Sequence, residues 1–206
     1  MIDSIIFDVD GTLWDSTPTC ANAWTRIIQQ ETDLNLVITE TTLKGLFGRT
    51  LPNIAKCIFP DYSTERQLYL IDKCCQEEHK DLLACCAPLY PDLETVLKKL
   101  SQKYRLFIVS NCQAGYIEVF LETAGLHPYF EGHLCPGDTG NEKADNIKQI
   151  ISTYHLKSPV YVGDTLGDYK ATKSAGIPFV FASYGFGDVP TPDYTIKCPM
   201  ELLNIF

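Results

Sequence analysis

Near its N-terminus the chain reads Ile5-Ile6-Phe7-Asp8-Val9-Asp10-Gly11. A short run of large apolar residues that ends in carboxylates and a glycine predicts a buried strand followed by a turn. Because such a strand is apolar on both faces, it is typical of the interior of a parallel sheet. This stretch therefore favours an α/β fold and places two acidic side chains at the end of the first strand.

Three later apolar runs repeat this design, over residues 106–109, 160–162 and 179–181. The first of them ends at Ser110 and Asn111, and the second at Gly163 and Asp164. Helical segments are predicted between them, over residues 92–103, 116–124, 142–154 and 166–175. This alternation predicts a Rossmann-like parallel sheet with helices on both faces, in which ligands bind at the C-terminal ends of the strands.

Residues 17–86 show only helical patterns, including a long candidate helix over 63–86 in which Leu68, Ile71, Cys75, His79 and Leu82 recur every three or four residues. A proline-containing stretch at 87–91 interrupts this pattern. We therefore predict an all-helical cap domain over residues 15–87, inserted after the first strand. The α/β core domain would then comprise residues 1–14 and 88–206.

Composition restricts the classes of function. The 206 residues are 45% hydrophobic and 21% charged, which is typical of a folded globular protein. The formal net charge of −9 argues against a nucleic-acid-binding protein or a polybasic membrane-surface protein. No apolar run reaches the roughly 20 residues of a membrane span, and no basic region precedes the first apolar stretch. We therefore expect a cytoplasmic protein that is a monomer or a homodimer.

The nine cysteines are an odd number and show no zinc-site spacing, since two of the pairs are directly adjacent in sequence. We expect them to be free thiols that pack as small apolar side chains.

Carboxylates are predicted to converge at one edge of the sheet: Asp8, Asp10, Asp164 and Asp168. Unpaired, they would repel one another, and a divalent cation would remove that repulsion. Ligation by oxygen atoms alone suits Mg²⁺ better than zinc. The hydroxyl of Ser110 and the amine of Lys143 would lie near the same edge and could bind an anion such as phosphate.

These residues resemble the four motifs of the haloacid dehalogenase (HAD) superfamily, in order and over essentially the whole chain. Asp8-Val9-Asp10-Gly11-Thr12 matches the DxDGT motif, and Ser110-Asn111 is similar to the second motif. Lys143 lies where the third-motif lysine belongs, and Gly163-Asp164 followed by Asp168 matches the GDxxxD motif. The helical insertion resembles the cap of subclass I, as in the phosphoglycolate phosphatase and β-phosphoglucomutase branch.

The resemblance implies a Mg²⁺-dependent phosphatase that acts on a small phosphorylated metabolite through an aspartyl-phosphate. Asp8 would be the nucleophile, and Asp10 would protonate the leaving oxygen and later deprotonate water. The transferring phosphoryl group would be held by Ser110, the backbone amide of Asn111 and Lys143. Asp8, the Asp10 carbonyl and Asp164 would bind Mg²⁺, and Asp168 would position metal-bound water or Lys143.

The same residues distinguish the phosphatase from other activities of the superfamily. The superfamily's dehalogenases lack a carboxylate at the position of Asp10, which favours phosphoryl chemistry here. A β-phosphoglucomutase-like transferase stays open, although residues 14–20 contain no cap-hinge histidine. A catalytically silent binding or regulatory protein would be expected to have lost Asp10 or Lys143. Arg49, in a predicted loop of the cap, is a candidate for contacting a distal anion of the substrate, with an exposed surface role as the equal alternative.

Overall fold

The structure is a computed structural model, and it describes residues 2–206. The strands are β1 (Ser4–Phe7), β2 (Arg105–Val109), β3 (Gly132–Leu134), β4 (Pro159–Gly163), β5 (Phe179–Ala182) and β6 (Tyr194–Ile196). The helices are α1 (Thr17–Glu31), α2 (Glu40–Lys44), α3 (Leu51–Ile58), α4 (Thr64–Ala84), α5 (Leu93–Leu100), α6 (Tyr116–Ala124), α7 (Pro136–Thr139), α8 (Lys143–Thr153), α9 (Leu166–Ala175) and α10 (Leu202–Ile205).

The strands form one parallel sheet in the order β3-β2-β1-β4-β5-β6. The predicted parallel α/β fold is therefore confirmed. The chain first builds the sheet outward from β1 to β3 and then returns to the other side of β1 with β4. The strand order thus reverses beside β1, and the C-terminal ends of β1 and its two neighbours form the crevice where ligands of such sheets bind.

Alternating residues of each strand pack on opposite faces of the sheet. In β1, Ile5 and Phe7 belong to one apolar core, whereas Ile6 belongs to the other. Helices α5 and α6 contribute to the first core and α8 to the second, through Ile147 and Ile150. Both faces are thus covered, which explains why the central strands β1, β2, β4 and β5 consist mostly of apolar residues.

Residues 17–84 contain no strand and four helices, α1 to α4. Helices α1 and α3 pack against α4, and α4 also contacts α6 beside the sheet. The chain enters this helical segment at Trp14 and leaves it at Leu89, and the two stretches of backbone lie side by side. They are joined by hydrogen bonds from the Asp15 N–H to the Pro88 carbonyl and from the Tyr90 N–H to the Leu13 carbonyl. No helix within residues 2–206 is long and apolar enough to cross a membrane.

Most predicted elements agree with the structure to within a few residues, but several details differ. The stripe predicted along α4 is buried at Ile71, Cys75 and Leu82 but includes Leu68, which is 43% exposed, because the start of the helix buries Gln67 and Leu70 instead. Strand β6 was not predicted, since Tyr194 and Thr195 are exposed at the sheet edge and give no apolar run. The short helices α7 and α10 were also missed, because each consists of only four residues. All nine cysteines are free thiols, and five of them are buried as expected, but Cys57 and Cys85 are exposed and do not pack as apolar side chains.

Candidate active site

The register of the sheet brings the acidic residues to one edge. Phe7 lies opposite Ile108 on one side and Val162 on the other, so β1, β2 and β4 end together. The backbone N–H of Asp8 continues this pairing by donating to the Val162 carbonyl at 2.9 Å. Asp8 is therefore placed by the sheet itself, directly past its C-terminal edge.

A buried lysine joins two of the carboxylates. Lys143, at the start of α8, is 4% exposed, and its Nζ lies 2.8 Å from Oδ1 of Asp8 and 2.5 Å from Oδ1 of Asp168. Burial and the charge of Asp168 raise the pKa of Asp8 to about 6, against the lowering effect of Lys143. The two neighbouring carboxylates hold the pKa of Lys143 well above its ordinary value despite its burial. The amine is thus a fixed positive charge beside Asp8.

Asp164 has one carboxylate oxygen in use and one without a partner. Its Oδ2 accepts a hydrogen bond from the Phe186 N–H at 2.7 Å, whereas the buried Oδ1 has no partner among residues 2–206. Burial, followed by the charges of Asp168 and Asp8, raises the pKa of Asp164 well above its ordinary value. A buried carboxylate oxygen left in this condition is costly unless something binds it.

The turn after β1 lies against this carboxylate. Gly11 has a φ of +79°, and a Cβ atom built there would lie only 2.0 Å from Oδ2 of Asp164. Only glycine adopts this conformation without strain and also leaves room for the carboxylate. The Asp-Gly pair at residues 10 and 11 is therefore required by the packing of the site.

The donor set fits a hard divalent cation. Ligand oxygens of Asp8, Asp164 and Asp168 all lie within 4.8 Å of one another. Oxygen ligands without nitrogen or sulfur match Mg²⁺, and the free Oδ1 of Asp164 is an unsatisfied ligand atom. The residues present thus fit a magnesium ion.

Asp168 differs from the other two carboxylates because both of its oxygens already have partners. Oδ1 accepts from Lys143, and Oδ2 accepts from the Thr165 N–H at 2.9 Å and the Thr165 hydroxyl at 2.6 Å. Thr165 in turn caps α9 by accepting from the Asp168 N–H, so the two residues form a capping box. Asp168 therefore both starts the helix and fixes the position of Lys143.

One oxygen of Asp10 is held by three donors. Oδ1 lies 2.9 Å from Trp14 Nε1, 2.5 Å from the Ser16 hydroxyl and 2.8 Å from the Tyr116 hydroxyl. Ser16 lies directly before α1, where a serine commonly caps a helix, but its hydroxyl makes no cap hydrogen bond and binds Asp10 instead. The arrangement fixes the carboxyl group, and Asp10 lines the cavity between the helices and the sheet edge.

Burial raises the pKa of Asp10 to about 7, and its hydrogen bonds with Ser16, Tyr116 and Trp14 only partly oppose this shift. A carboxyl group that titrates near pH 7 exchanges a proton readily at that pH, as a general acid and base must.

The polar residues that follow β2 face the same edge. Ser110 is buried, and a hydrogen bond from its side chain helps to lower the pKa of Asp8. It is not a helix cap, since α6 begins only at Tyr116. The side-chain amide of Asn111 donates to the Gly48 carbonyl at 2.8 Å and so links the sheet edge to the helical segment.

Arg49 lies farther out. It is exposed, and its guanidinium lies 3.6 Å from the Cys57 thiol. It lines an outer cavity of about 510 Å³ together with Asn111, Glu142 and Lys143. The candidate site residue Arg49 is thus at the mouth of the site and not beside the carboxylates.

Sequence reasoning missed the side chains that line the inner cavity beyond Asp10, chiefly Glu78 on α4 and Gln113 after β2. Glu78 is 2% exposed and accepts hydrogen bonds at 2.5 Å from Trp24 Nε1 and from Gln113 Nε2. A usable signal existed, because Glu78 lies four residues from both Cys74 and Leu82, on the buried stripe of α4.

Glu78 should make the stability of the protein depend on pH. Burial raises the pKa of Glu78 from 4.5 to about 7. The unfolded chain then releases this proton at lower pH than the folded protein, so the free energy of unfolding falls between about pH 4.5 and pH 7, by about 3 kcal/mol. We expect this fall in the free energy of unfolding to be absent from Glu78→Gln when urea unfolding is measured across that pH range. An identical pH dependence in both proteins would contradict the expectation.

Comparisons with known proteins agree on one family. A family model described as haloacid dehalogenase-like hydrolase matches residues 5–182. A phosphoglycolate phosphatase from Aquifex aeolicus is 26% identical over 98% of this chain and 95% of its own length. A haloacid dehalogenase-like hydrolase from Streptococcus pneumoniae superposes with a TM-score of 0.85 at 25% identity, covering 100% of this chain and 98% of that one. CbbY from Rhodobacter sphaeroides, solved with phosphate, has a TM-score of 0.83 at 18% identity, over 98% and 96% of the two chains.

Proposed function

Because this chain belongs to the haloacid dehalogenase-like hydrolases, we propose that it is a phosphatase that hydrolyses a small phosphate monoester. The observation that carries the proposal is the cluster at the sheet edge, where the buried amine of Lys143 lies 2.8 Å from Asp8 and Asp10 lies two residues away with a pKa of about 7. A nucleophile, a fixed cation and a proton carrier are the groups that this reaction needs.

In the first step, an oxygen of Asp8 attacks phosphorus and the bond to the alcohol oxygen breaks. Asp10 gives its proton to that oxygen, so the alcohol leaves neutral and an aspartyl-phosphate forms on Asp8. Asp10 is suited to this because three donors fix its Oδ1. In the second step, Asp10 takes a proton from water, the water oxygen attacks phosphorus, and phosphate leaves Asp8 as a free carboxylate.

The remaining residues hold the transferring group. Lys143 and Ser110 offer donors to the phosphoryl oxygens, and the backbone N–H of Asn111 adds a third. Asp168 positions Lys143 through the 2.5 Å contact. Each of these donors is on a strand end or a helix start, which keeps the site rigid.

Mg²⁺ would be held by Asp8, Asp164 and the backbone carbonyl of Asp10. Asp168 would lie beside the ion and position Lys143. When bound, the ion offsets the negative charge of the carboxylates and of the phosphoryl group. The unpartnered Oδ1 of Asp164 supports this assignment.

We also propose that residues 15–87 form a cap over the site and that residues 1–14 and 88–206 form the core. The antiparallel passage of Trp14 beside Leu89 supports this division, because two adjacent chain segments make a natural hinge. We further propose that the protein is cytoplasmic and acts, as a monomer or a homodimer, on a small phosphorylated metabolite.

The test is phosphate release from a panel of phosphomonoesters, with Mg²⁺ and with excess chelator. We expect release with Mg²⁺ and a loss of about 100-fold or more with chelator, since a metal contributes several kcal/mol of charge stabilisation. Equal rates under both conditions would overturn the metal assignment. Absence of release from every ester would overturn the phosphatase and favour a phosphoryl transferase with another acceptor or a binding protein.

A further inference from the structure

Glu78 is a buried carboxylate that the proposed mechanism does not use. Its side chain lines the same inner cavity as Asp8 and Asp10. Both of its partners, the indole N–H of Trp24 and the amide of Gln113, donate to it. Donors on both oxygens are the surroundings that an acceptor carboxylate requires, and they hold it in one orientation.

No positive charge balances Glu78. The described residues that line the inner cavity include no lysine, arginine or histidine. Lys143 is engaged by Asp8 and Asp168, and Arg49 lies at the outer cavity. His79 contacts Gln113 from beside the cavity, but burial lowers its pKa, so the ring is neutral near pH 7.

The leaving alcohol must occupy this part of the site. With phosphorus at Asp8 and the leaving oxygen at Asp10, the rest of the alcohol points into the space that Glu78 and Gln113 border. A carboxylate on that alcohol would meet a second carboxylate without an intervening cation, and such like-charge pairs are strongly unfavourable. A hydroxyl or ammonium group would instead donate to Glu78.

We propose that Glu78 is a specificity-determining residue that selects esters whose alcohol carries a hydrogen-bond donor and rejects esters whose alcohol carries a carboxylate. This inference rests on the proposed phosphatase function. It assigns the substrate to hydroxyl- or amino-bearing alcohols, such as polyol phosphates, and against phosphoglycolate, the substrate in the name of the Aquifex relative.

Three esters of nearly equal size test the inference: 2-hydroxyethyl phosphate, phosphoethanolamine and phosphoglycolate. They differ only in the group on the ester-bearing carbon, which is a hydroxymethyl, an ammoniomethyl or a carboxylate group. At pH 8, above the pKa of about 7 that burial gives Glu78, the side chain is charged, and we expect kcat/KM of the wild-type protein for the first two esters to exceed that for phosphoglycolate by about tenfold or more. A preference for phosphoglycolate would overturn the inference without any variant being needed.

Glu78→Gln keeps the shape of the side chain and removes its charge. We expect the ratio of kcat/KM for 2-hydroxyethyl phosphate to that for phosphoglycolate to fall by about tenfold. The control is Glu77→Gln, which removes the same charge one residue away, where the side chain binds Arg26 and Lys80 on the surface. This control should leave the ratio unchanged.

A purely structural role gives a different result. If Glu78 only joins α4 to Gln113, the variant changes kcat/KM for all three esters by the same factor, and the inference fails. Hydrolysis of p-nitrophenyl phosphate by the wild-type protein shows in that case that the phosphatase proposal stands. If the wild-type protein releases phosphate from none of the four compounds, the phosphatase proposal fails and the inference falls with it.

Discussion

We expect Asp8→Asn to lower phosphate release by about 10⁴-fold or more while the protein stays folded. An amide is a poor nucleophile towards phosphorus, and the loss of a covalent nucleophile typically costs at least this much. The substitution is nearly isosteric, and the side chain remains next to Lys143. The measurement is the rate of phosphate release from the best ester of the panel, together with a circular dichroism spectrum.

The matched control is Asp145→Asn, which removes one negative charge from an exposed position in the first turn of α8, where Asp145 binds Lys148. We expect this control to be as active as the wild-type protein. Substantial turnover by folded Asp8→Asn would contradict the assignment of the nucleophile, and an aspartyl-phosphate trapped on another residue would identify the replacement.

Replacement of Lys143 by methionine should reduce both activity and stability. Methionine fills a similar volume but leaves Asp8 and Asp168 buried without their shared cation. Loss of one partner from a buried ion pair typically costs about 3–5 kcal/mol of unfolding free energy. We also expect phosphate release to fall by about 10³-fold, because a charged donor to the phosphoryl oxygens is lost.

Lys148→Met is the control for this second variant. Lys148 lies on the same helix, but it is exposed, and within residues 2–206 its ion-pair partner is Asp145, at 3.2 Å. Exposed pairs of this kind contribute about 0–1 kcal/mol, so urea unfolding of the control should differ little from that of the wild-type protein. A Lys143→Met protein with wild-type activity would exclude the lysine from the binding of phosphate.

The residues at strand ends could be predicted because apolar runs are local in sequence and parallel strands bring their ends together. Asp8, Ser110 and Asp164 each follow such a run directly, and β1, β2 and β4 end at the same edge. Lys143 also lies there, although its contacts with Asp8 and Asp168 join residues 135 and 25 positions apart. Its place was predicted from family resemblance and its position at a helix start, not from local pattern alone.

The partners of Asp10 and Glu78 were not predictable in the same way. Tyr116 reaches Asp10 across 106 positions, and Gln113 reaches Glu78 across 35. The sequence around Tyr116 and Gln113 contains no pattern that indicates these distant polar partners. The position of Ser16 before α1 is typical of a helix cap, but its hydroxyl makes a tertiary hydrogen bond to Asp10 instead.

The size of the inner cavity has a consequence for the timing of catalysis. Its volume of about 20 Å³ is close to that of one water molecule, and it is bounded by the helical segment on one side and the sheet edge on the other. A phosphate ester cannot enter such a space unless the two sides first separate, which breaks the Asn111–Gly48 hydrogen bond. Each catalytic cycle then contains one opening and one closing, so the frequency of that motion is an upper limit on turnover, however fast the chemical steps are.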